Sequence, residues 1–140
     1  AGYGVYGETP GGRGVYGASD TGTGVYGHSD TGNGGYFSSS NGDALQVSGK
    51  IRVSGSQPAA FVFTVTAASP CAWCAMIDHP STNLNPTAIV LVTHFYDGAG
   101  SLRFPSPIGV YYVNSKWAVY AEDQANMPVG AKFNVLVINR

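Results

Sequence analysis

The sequence predicts an all-β protein, in which a short-period repeat stem that forms an intertwined trimeric β-structure is followed by a β-sandwich head. Three observations lead to this class. The phrase Gly-Val-Tyr-Gly begins at Gly4, Gly14 and Gly24, and a drifted copy begins at Gly34, which gives a period of ten residues. Apolar runs of strand length, separated by Pro, Gly and Asn, fill the remainder of the chain. Helical periodicity never extends beyond one or two turns.

The composition divides the chain into three parts. Residues 1–42 contain fourteen of the twenty glycines, whereas residues 43–140 contain nearly all of the Leu, Ile, Phe and Trp. We therefore expect the repeat stem over residues 1–42, a collar strand or linker over residues 43–57 and the head over residues 58–140, which is long enough for a modest core. Because the chain begins in the middle of a repeat, with Ala1 directly before Gly2-Tyr3-Gly4, we expect it to be a fragment of a longer array.

Each stem unit is predicted to be a short strand around Val-Tyr, followed by a turn that Ser-Asp begins and Gly closes. One unit offers about one Val and one Tyr for burial, which cannot offset the entropy of ordering its glycines. The units must therefore pack against neighbouring turns or against other copies of the chain. An intertwined trimer with Val5, Val15 and Val25 near a common axis is favoured over a single-chain solenoid or a disordered Gly-rich linker.

The collar and the head show strand patterns in order. Leu45, Val47, Ile51 and Val53 alternate with polar residues, which predicts a half-buried strand in the collar. In the head, residues 87–95 are apolar on both faces and are predicted to form a central strand. Asn114-Ser115 is predicted to be a tight hairpin turn. The head strands are predicted over residues 61–66, 87–95, 108–113, 116–121 and 132–138.

Charge and hydropathy exclude several kinds of partner. The net charge is −1 and charged residues make up 11% of the chain, so no basic patch suits a nucleic acid. The longest apolar run is far too short to insert into a membrane. Low charge with abundant Gly, Ser, Thr and aromatic residues is typical of extracellular fibres, and it predicts a location outside the cell, on its surface or on a virion.

Motifs in both parts resemble those of a known protein type. The Gly-Val-Tyr-Gly-x-Ser-Asp-Thr-Gly array with its Ala-Leu-x-Val-x-Gly-Lys collar resembles bacterial repeat proteins that look like phage tail-fibre stalks. The head is similar to an uncharacterised bacterial β-domain that follows such repeats. The resemblance implies architecture only and carries over no functional residue. The head motifs are Asp78-His79-Pro80, Asn83-x-Asn85-Pro86-x-Ala88, Pro107-Ile108-Gly109-Val110, Lys116-Trp117-Ala118-Val119-Tyr120 and Met127-Pro128-x-Gly130-Ala131-x-Phe133-Asn134-Val135.

The pair Cys71 and Cys74 is the most chemically suggestive motif. A redox Cys-x-x-Cys needs a helix N-terminus to lower the thiol pKa, and strand and loop patterns surround this pair. A zinc site needs two further ligands, and only His79 and His94 lie nearby in the sequence. A local disulfide or two buried thiols is the favoured interpretation, so we expect no metal and no cofactor.

Catalytic groups are also sparse. His79 and His94, with Asp78 and Asp97, lack a Ser nucleophile elbow, and structural roles for the two histidines are favoured. A glycosidase needs two carboxylates that converge on one sugar. Residues 122 and 123 are Glu and Asp, but adjacent residues of a strand point to opposite faces. The sequence therefore predicts a protein that is not an enzyme.

The aromatic residues of the head favour a binding function. Rings can stack on the C–H groups of a sugar while amides and carboxylates bind its hydroxyls. The alternative is that the same rings form the core and a trimer interface.

The function predicted is a non-catalytic fibre or surface-displayed adhesin-like protein, whose trimeric stalk presents a carbohydrate-binding head. A purely structural trimerisation cap is the alternative, and a polysaccharide-degrading enzyme ranks below both. The candidate ligand-binding residues are Tyr112, Tyr120, Asn114, Asp97 and Asn126.

Overall fold

The computed structural model describes residues 4–67, 71–98 and 102–140. These residues form six β-strands in two antiparallel sheets, and none of them belongs to a helix. The all-β class is therefore confirmed. The chain separates into two compact units, Ala1–Lys50 and Ile51–Arg140, and the second unit contains all of these strands. The division at residues 42 and 57 stays a prediction.

The first unit repeats one turn. The backbone N–H of Gly22 donates to Ser19 Oγ at 2.9 Å, and bonds of the same kind recur ten and twenty residues further along. Successive units approach each other through glycine, since a Cβ added at Gly14 would lie only 2.7 Å from the carbonyl oxygen of Gly7. The predicted Ser-to-Gly turns are confirmed, and the close approach explains why the repeat keeps glycine at these positions.

Strands do not form in the stem or the collar. Residues 4–59 contain no strand, so the strands predicted around each Val-Tyr pair and over residues 43–54 are wrong for the single chain. A strand is stable only when a neighbouring strand forms hydrogen bonds with its backbone N–H and C=O groups. Among the residues that the structure describes, no strand pairs with residues 4–57, and each of these residues is exposed.

The second unit consists of two three-stranded sheets. The first sheet has the order β1-β6-β3 and the second has the order β2-β5-β4. Five strands match the five whose ranges the sequence predicts, and β2 is additional. It begins at Cys74, the second cysteine of the pair, where no strand range was predicted. The strands are β1 (Ala60–Thr64), β2 (Cys74–Ile77), β3 (Ile89–Phe95), β4 (Ile108–Val113), β5 (Lys116–Ala121) and β6 (Lys132–Ile138).

The strand β3 lies at an edge of the first sheet, and β6 is the central strand. The prediction of a central position for residues 87–95 is therefore wrong. It assumed that a strand with apolar side chains on both faces is covered on both faces by its own chain. Here Val90 is buried against the second sheet, whereas Ile89 and Leu91 on the opposite face are exposed.

The predicted hairpin turn is confirmed at Asn114 and Ser115. Both residues have positive φ angles, 49° and 63°, as a two-residue type I′ turn requires. The turn pairs Val113 with Lys116 and thereby determines the register of β4 against β5.

The core lies between the two sheets, because each of its two clusters contains side chains from both. One cluster brings Phe133 of β6 against Ala75 of β2 and Val119 of β5. The other brings Ile77 of β2 against Val90 and Val137 of the first sheet. Two layers packed in this way leave each sheet with one outer face, and these faces carry the candidate binding surfaces.

Candidate binding surfaces

The outer face of the second sheet carries an aromatic cluster. Gly109 of β4 pairs with Tyr120 of β5. Val119, the residue before Tyr120, points into the core, so the side chain of Tyr120 points away from it. The rings of Tyr111 and Tyr120 meet edge to face at 5.5 Å, and those of Trp73 and Tyr120 meet in the same manner at 6.2 Å. We call Trp73, Tyr111 and Tyr120 the aromatic face.

The turn that holds Trp73 is tied to the sheet at several points. Cys71 and Cys74 form a disulfide across the turn, and Tyr111 Oη donates to Cys74 Sγ at 3.5 Å. The Trp73 carbonyl oxygen accepts from the backbone N–H of Ala121 at 2.9 Å. These bonds hold the indole against Tyr120, so the disulfide supports the aromatic face.

The candidate ligand-binding residues from the sequence do not come together. Tyr112 pairs with Trp117, three positions from Tyr120 on β5, so Tyr112 and Tyr120 lie on opposite faces of the sheet. Asn114 lies in the turn that begins β5, whereas Asn126 lies in the loop that follows it. A strand of six residues separates these two side chains by roughly 20 Å.

Asp97, the fifth candidate, directly follows Tyr96 in the chain, and Tyr96 lines a pocket beside β3. The pocket has a volume of about 270 Å³, and it lies where β3 ends beside the first residue of β6, since Phe95 pairs with Lys132. Tyr96 exposes 57% of its surface here, and the Lys132 ammonium group lies 5.8 Å from the Phe95 ring centroid. The lining residues are His94, Phe95, Tyr96, Leu102, Arg103, Phe104, Pro105 and Lys132.

The sequence did not identify Arg103 or Lys132 as binding residues. They lie 29 positions apart, and only the pairing of β3 with β6 brings Lys132 to the pocket. Together with Tyr96 they place two cationic donors beside one exposed ring. An arrangement of this kind suits a polar or anionic ligand with an apolar face.

Asp78 and His79 have structural partners. Lys116 Nζ lies 2.6 Å from the Asp78 carboxylate, and Asn83 Nδ2 donates to the same group at 2.8 Å. The hydrogen bond from Lys116, followed by that from Asn83, lowers the pKa of Asp78 below its ordinary value of 3.8. His79 stacks on Phe61 at 3.8 Å, and its Nδ1 accepts from the backbone N–H of residue 81.

The remaining chemical candidates are also dispersed. Glu122 and Asp123 are exposed after β5, and Asp123 Oδ1 accepts from the backbone N–H of Ala125 at 3.0 Å. Among residues 4–67, 71–98 and 102–140, no three His, Cys, Asp or Glu side chains group closely enough to hold a metal ion. That part of the chain also has no helix that is long and apolar enough to cross a membrane.

The outer face of the first sheet is aliphatic. Paired residues of neighbouring strands lie on the same face of a sheet. Leu136 of β6 pairs with Ala60 of β1 on one side and with Leu91 of β3 on the other. A shallow groove of about 540 Å³ lies along these strands. We call this surface the aliphatic face, and it comprises Ala60, Val62, Ile89, Leu91, Leu136 and Ile138.

Comparison with known proteins yields one match. A protein-family model described as a domain of unknown function (DUF7452) matches residues 36–137. No curated protein matches the chain, and no solved structure matches it. The matched range contains all six strands of the second unit except for the last residue of β6.

Proposed function

The chain belongs to the family of the domain of unknown function DUF7452, and from this premise we propose that it is a non-catalytic fibre or surface-displayed protein of adhesin type. Three chains intertwine through their repeat stems and present β-sandwich heads, and each head binds a carbohydrate. The protein acts outside the cell, on its surface or on a virion. The disulfide between Cys71 and Cys74 supports this location, because disulfides persist in oxidising compartments.

The observation that carries the proposed assembly is the exposure of apolar side chains in the repeat stem and the collar. Twelve large apolar side chains between Val5 and Val53 are exposed in the single chain. Fully burying such a side chain contributes about 1.5–3 kcal/mol. At the observed exposures, covering all twelve by other copies would contribute on the order of 10 kcal/mol per chain. That is comparable to the whole stability of a typical domain, which favours an assembled stem over an isolated one.

The assembly is tested by light scattering on the whole chain and on residues 43–140. A trimer of the 14.5 kDa chain has a mass of three times 14.5 kDa, which is about 43.5 kDa. The truncated protein shows whether the stem or the remainder holds the trimer together. A monomeric mass for both proteins would contradict the proposed fibre.

Removal of residues 1–42 also has an expected thermal effect. If the stems share a core, the truncated protein loses stabilisation that depends on association, and its melting temperature falls below that of the whole chain at equal concentration. An unchanged melting temperature would mean that the stem is only a tether.

The pocket beside β3 supports carbohydrate binding best. Tyr96 offers an exposed ring to the apolar side of a sugar, and Arg103 and Lys132 offer hydrogen-bond donors to its hydroxyl or carboxylate oxygens. The aromatic face is the second candidate, since Trp73 remains partly exposed there.

Calorimetric titration with glucose, N-acetylglucosamine and glucuronic acid tests this assignment. Tyr96→Ala should weaken the affinity for the sugar that binds by at least tenfold, because one stacking contact is lost. Trp73→Ala is the matched control and should leave the affinity within twofold. The reverse result would move the site to the aromatic face.

A purely structural cap is the alternative function. The half-buried rings of Tyr111 and Tyr120 on the aromatic face favour it, since they could pack between copies of the chain and align the chains at the end of the fibre. If none of the three sugars binds to an assembled trimer, the cap becomes the preferred function. Turnover of a polysaccharide that Glu122→Gln or Asp97→Asn abolishes would contradict both functions.

A further inference from the structure

The aliphatic face is an apolar surface that the strands of the second unit leave uncovered. Val62, Ile89, Leu91, Leu136 and Ile138 are each between 40% and 51% exposed. They occupy neighbouring register rows on all three strands of the first sheet, so they form one continuous patch. Contiguous exposed apolar patches on soluble proteins usually mark a site of interaction.

The chemistry of the patch restricts what can cover it. Among the strand residues that the register places on this side of the first sheet, none is acidic. Lys132 is the one basic residue among them, and it lies beyond the patch with its ammonium group over the Phe95 ring. The central amide of Asn134 is already engaged, because its Nδ2 donates to Thr93 Oγ1 at 3.3 Å. No tyrosine or tryptophan side chain projects from it. A sugar or a charged peptide would therefore find few partners here, whereas another aliphatic surface would match.

The size of the patch restricts how tightly it binds. An aliphatic side chain carries roughly 60–120 Å² of apolar area, so five at these exposures leave roughly 150–250 Å². A stable interface between independent proteins buries about 800 Å² per partner. The patch alone is thus too small to join two free chains. It is sufficient when the chains are already tethered, because a tether raises the effective concentration of the second contact to about the millimolar range.

We propose that the aliphatic face packs against the second unit of another copy of this chain, within the assembly that the stem holds together. The inference rests on the proposed fibre, in which the stem supplies the tether. It explains why β3 carries apolar side chains on both faces although it is an edge strand. One face is covered by the second sheet of its own chain and the other by a neighbouring copy.

Thiol labelling in the whole protein measures whether the face is covered. Leu91→Cys places a thiol within the patch, on the edge strand β3, and Val129→Cys places one at a loop position that is 62% exposed. Without reductant, the disulfide of the native cysteines stays intact and only the added thiol reacts with a maleimide. We expect the thiol at position 91 to react at least tenfold more slowly than the thiol at position 129.

A charge on the face identifies the covering partner. Leu91→Lys should raise the concentration at which the assembly half dissociates by at least tenfold, whereas Val129→Lys should leave it within twofold. Circular dichroism verifies that both variants are folded, which is expected because both side chains are exposed. The experiment therefore reports on association rather than on folding.

The outcomes separate the inference from the proposed fibre. An assembled wild-type protein with equal labelling rates at the two positions would overturn the aliphatic contact and leave the fibre standing. Slow labelling at position 91 without any effect of Leu91→Lys on dissociation would also overturn it, since the chain's own stem would then be the cover. A monomeric wild-type protein would overturn the fibre and the contact together.

Discussion

The absence of a side chain at Gly109 allows the Tyr120 ring of the aromatic face to pack directly on the backbone of β4. Replacing Gly109 should therefore push this ring away from the strand. A Cβ added at Gly109 would lie 2.5–2.6 Å from Cε1, Cζ and Oη of Tyr120. Real Cβ atoms do not approach other atoms so closely, so Gly109→Ala must displace the Tyr120 ring. The ring in turn contacts Tyr111 and Trp73, and the displacement extends to both.

The magnitude follows from two opposing effects. Overpacking costs about 1–3 kcal/mol, whereas removing a glycine from a strand contributes about 0.5–1 kcal/mol of stability. The net effect of Gly109→Ala is a loss of about 0.5–2 kcal/mol in the free energy of unfolding. For a unit of this size each kcal/mol lowers the melting temperature by about 4–8 °C. The Trp73 emission should change as well, because the ring beside it moves.

A double-mutant cycle isolates the clash. Leucine lacks the three ring atoms that the added Cβ would meet, so in a Tyr120→Leu background Gly109→Ala should stabilise the protein by about 0.5–1 kcal/mol. Urea unfolding followed by tryptophan emission at one protein concentration measures all four proteins. Equal destabilisation by Gly109→Ala in both backgrounds would refute the role assigned to the Tyr120 ring.

Three further predictions concern the core, an ion pair and the disulfide. Phe133→Ala should cost about 3–5 kcal/mol in urea unfolding, since its fully buried ring joins the two sheets; a loss below 1 kcal/mol would contradict this. The Asp78 carboxylate beside Lys116 has a lowered pKa, so its stabilisation is present above about pH 4 and is lost as the pH falls through the folded-state pKa. Asp78→Asn should therefore flatten the fall of the urea midpoint below pH 4, and an unchanged slope would count against the pair. Reducing Cys71–Cys74 opens a short loop and should cost at most about 2 kcal/mol, which melting with and without reductant measures.

The candidate site was only partly predictable from the sequence. The two-residue turn at Asn114 and Ser115 already implies that Tyr112 pairs with Trp117, so the opposite faces of Tyr112 and Tyr120 could have been derived from it. The pocket beside β3 could not, because Lys132 reaches it only through the long-range pairing of β3 with β6, and the isolated bridge between Leu102 and Ala131 brings the neighbouring Arg103 to the same place. Side chains that meet through such pairings leave no local pattern in the chain.

The sequence by itself determined the β class, the ten-residue period, the serine turns and five of the strands. These features depend on local chemistry, namely alternation along a strand and the turn preferences of Ser, Asn and Gly. Only the tertiary structure decided that β6 is central and β3 is an edge. An apolar pattern predicts which faces of a strand are buried, but it does not show whether the residues that bury them belong to the same chain or to another copy. Leu91 and Val90 are neighbouring aliphatic residues that the sequence pattern does not distinguish. Only the packing of the two sheets shows that Val90 is buried and Leu91 is exposed.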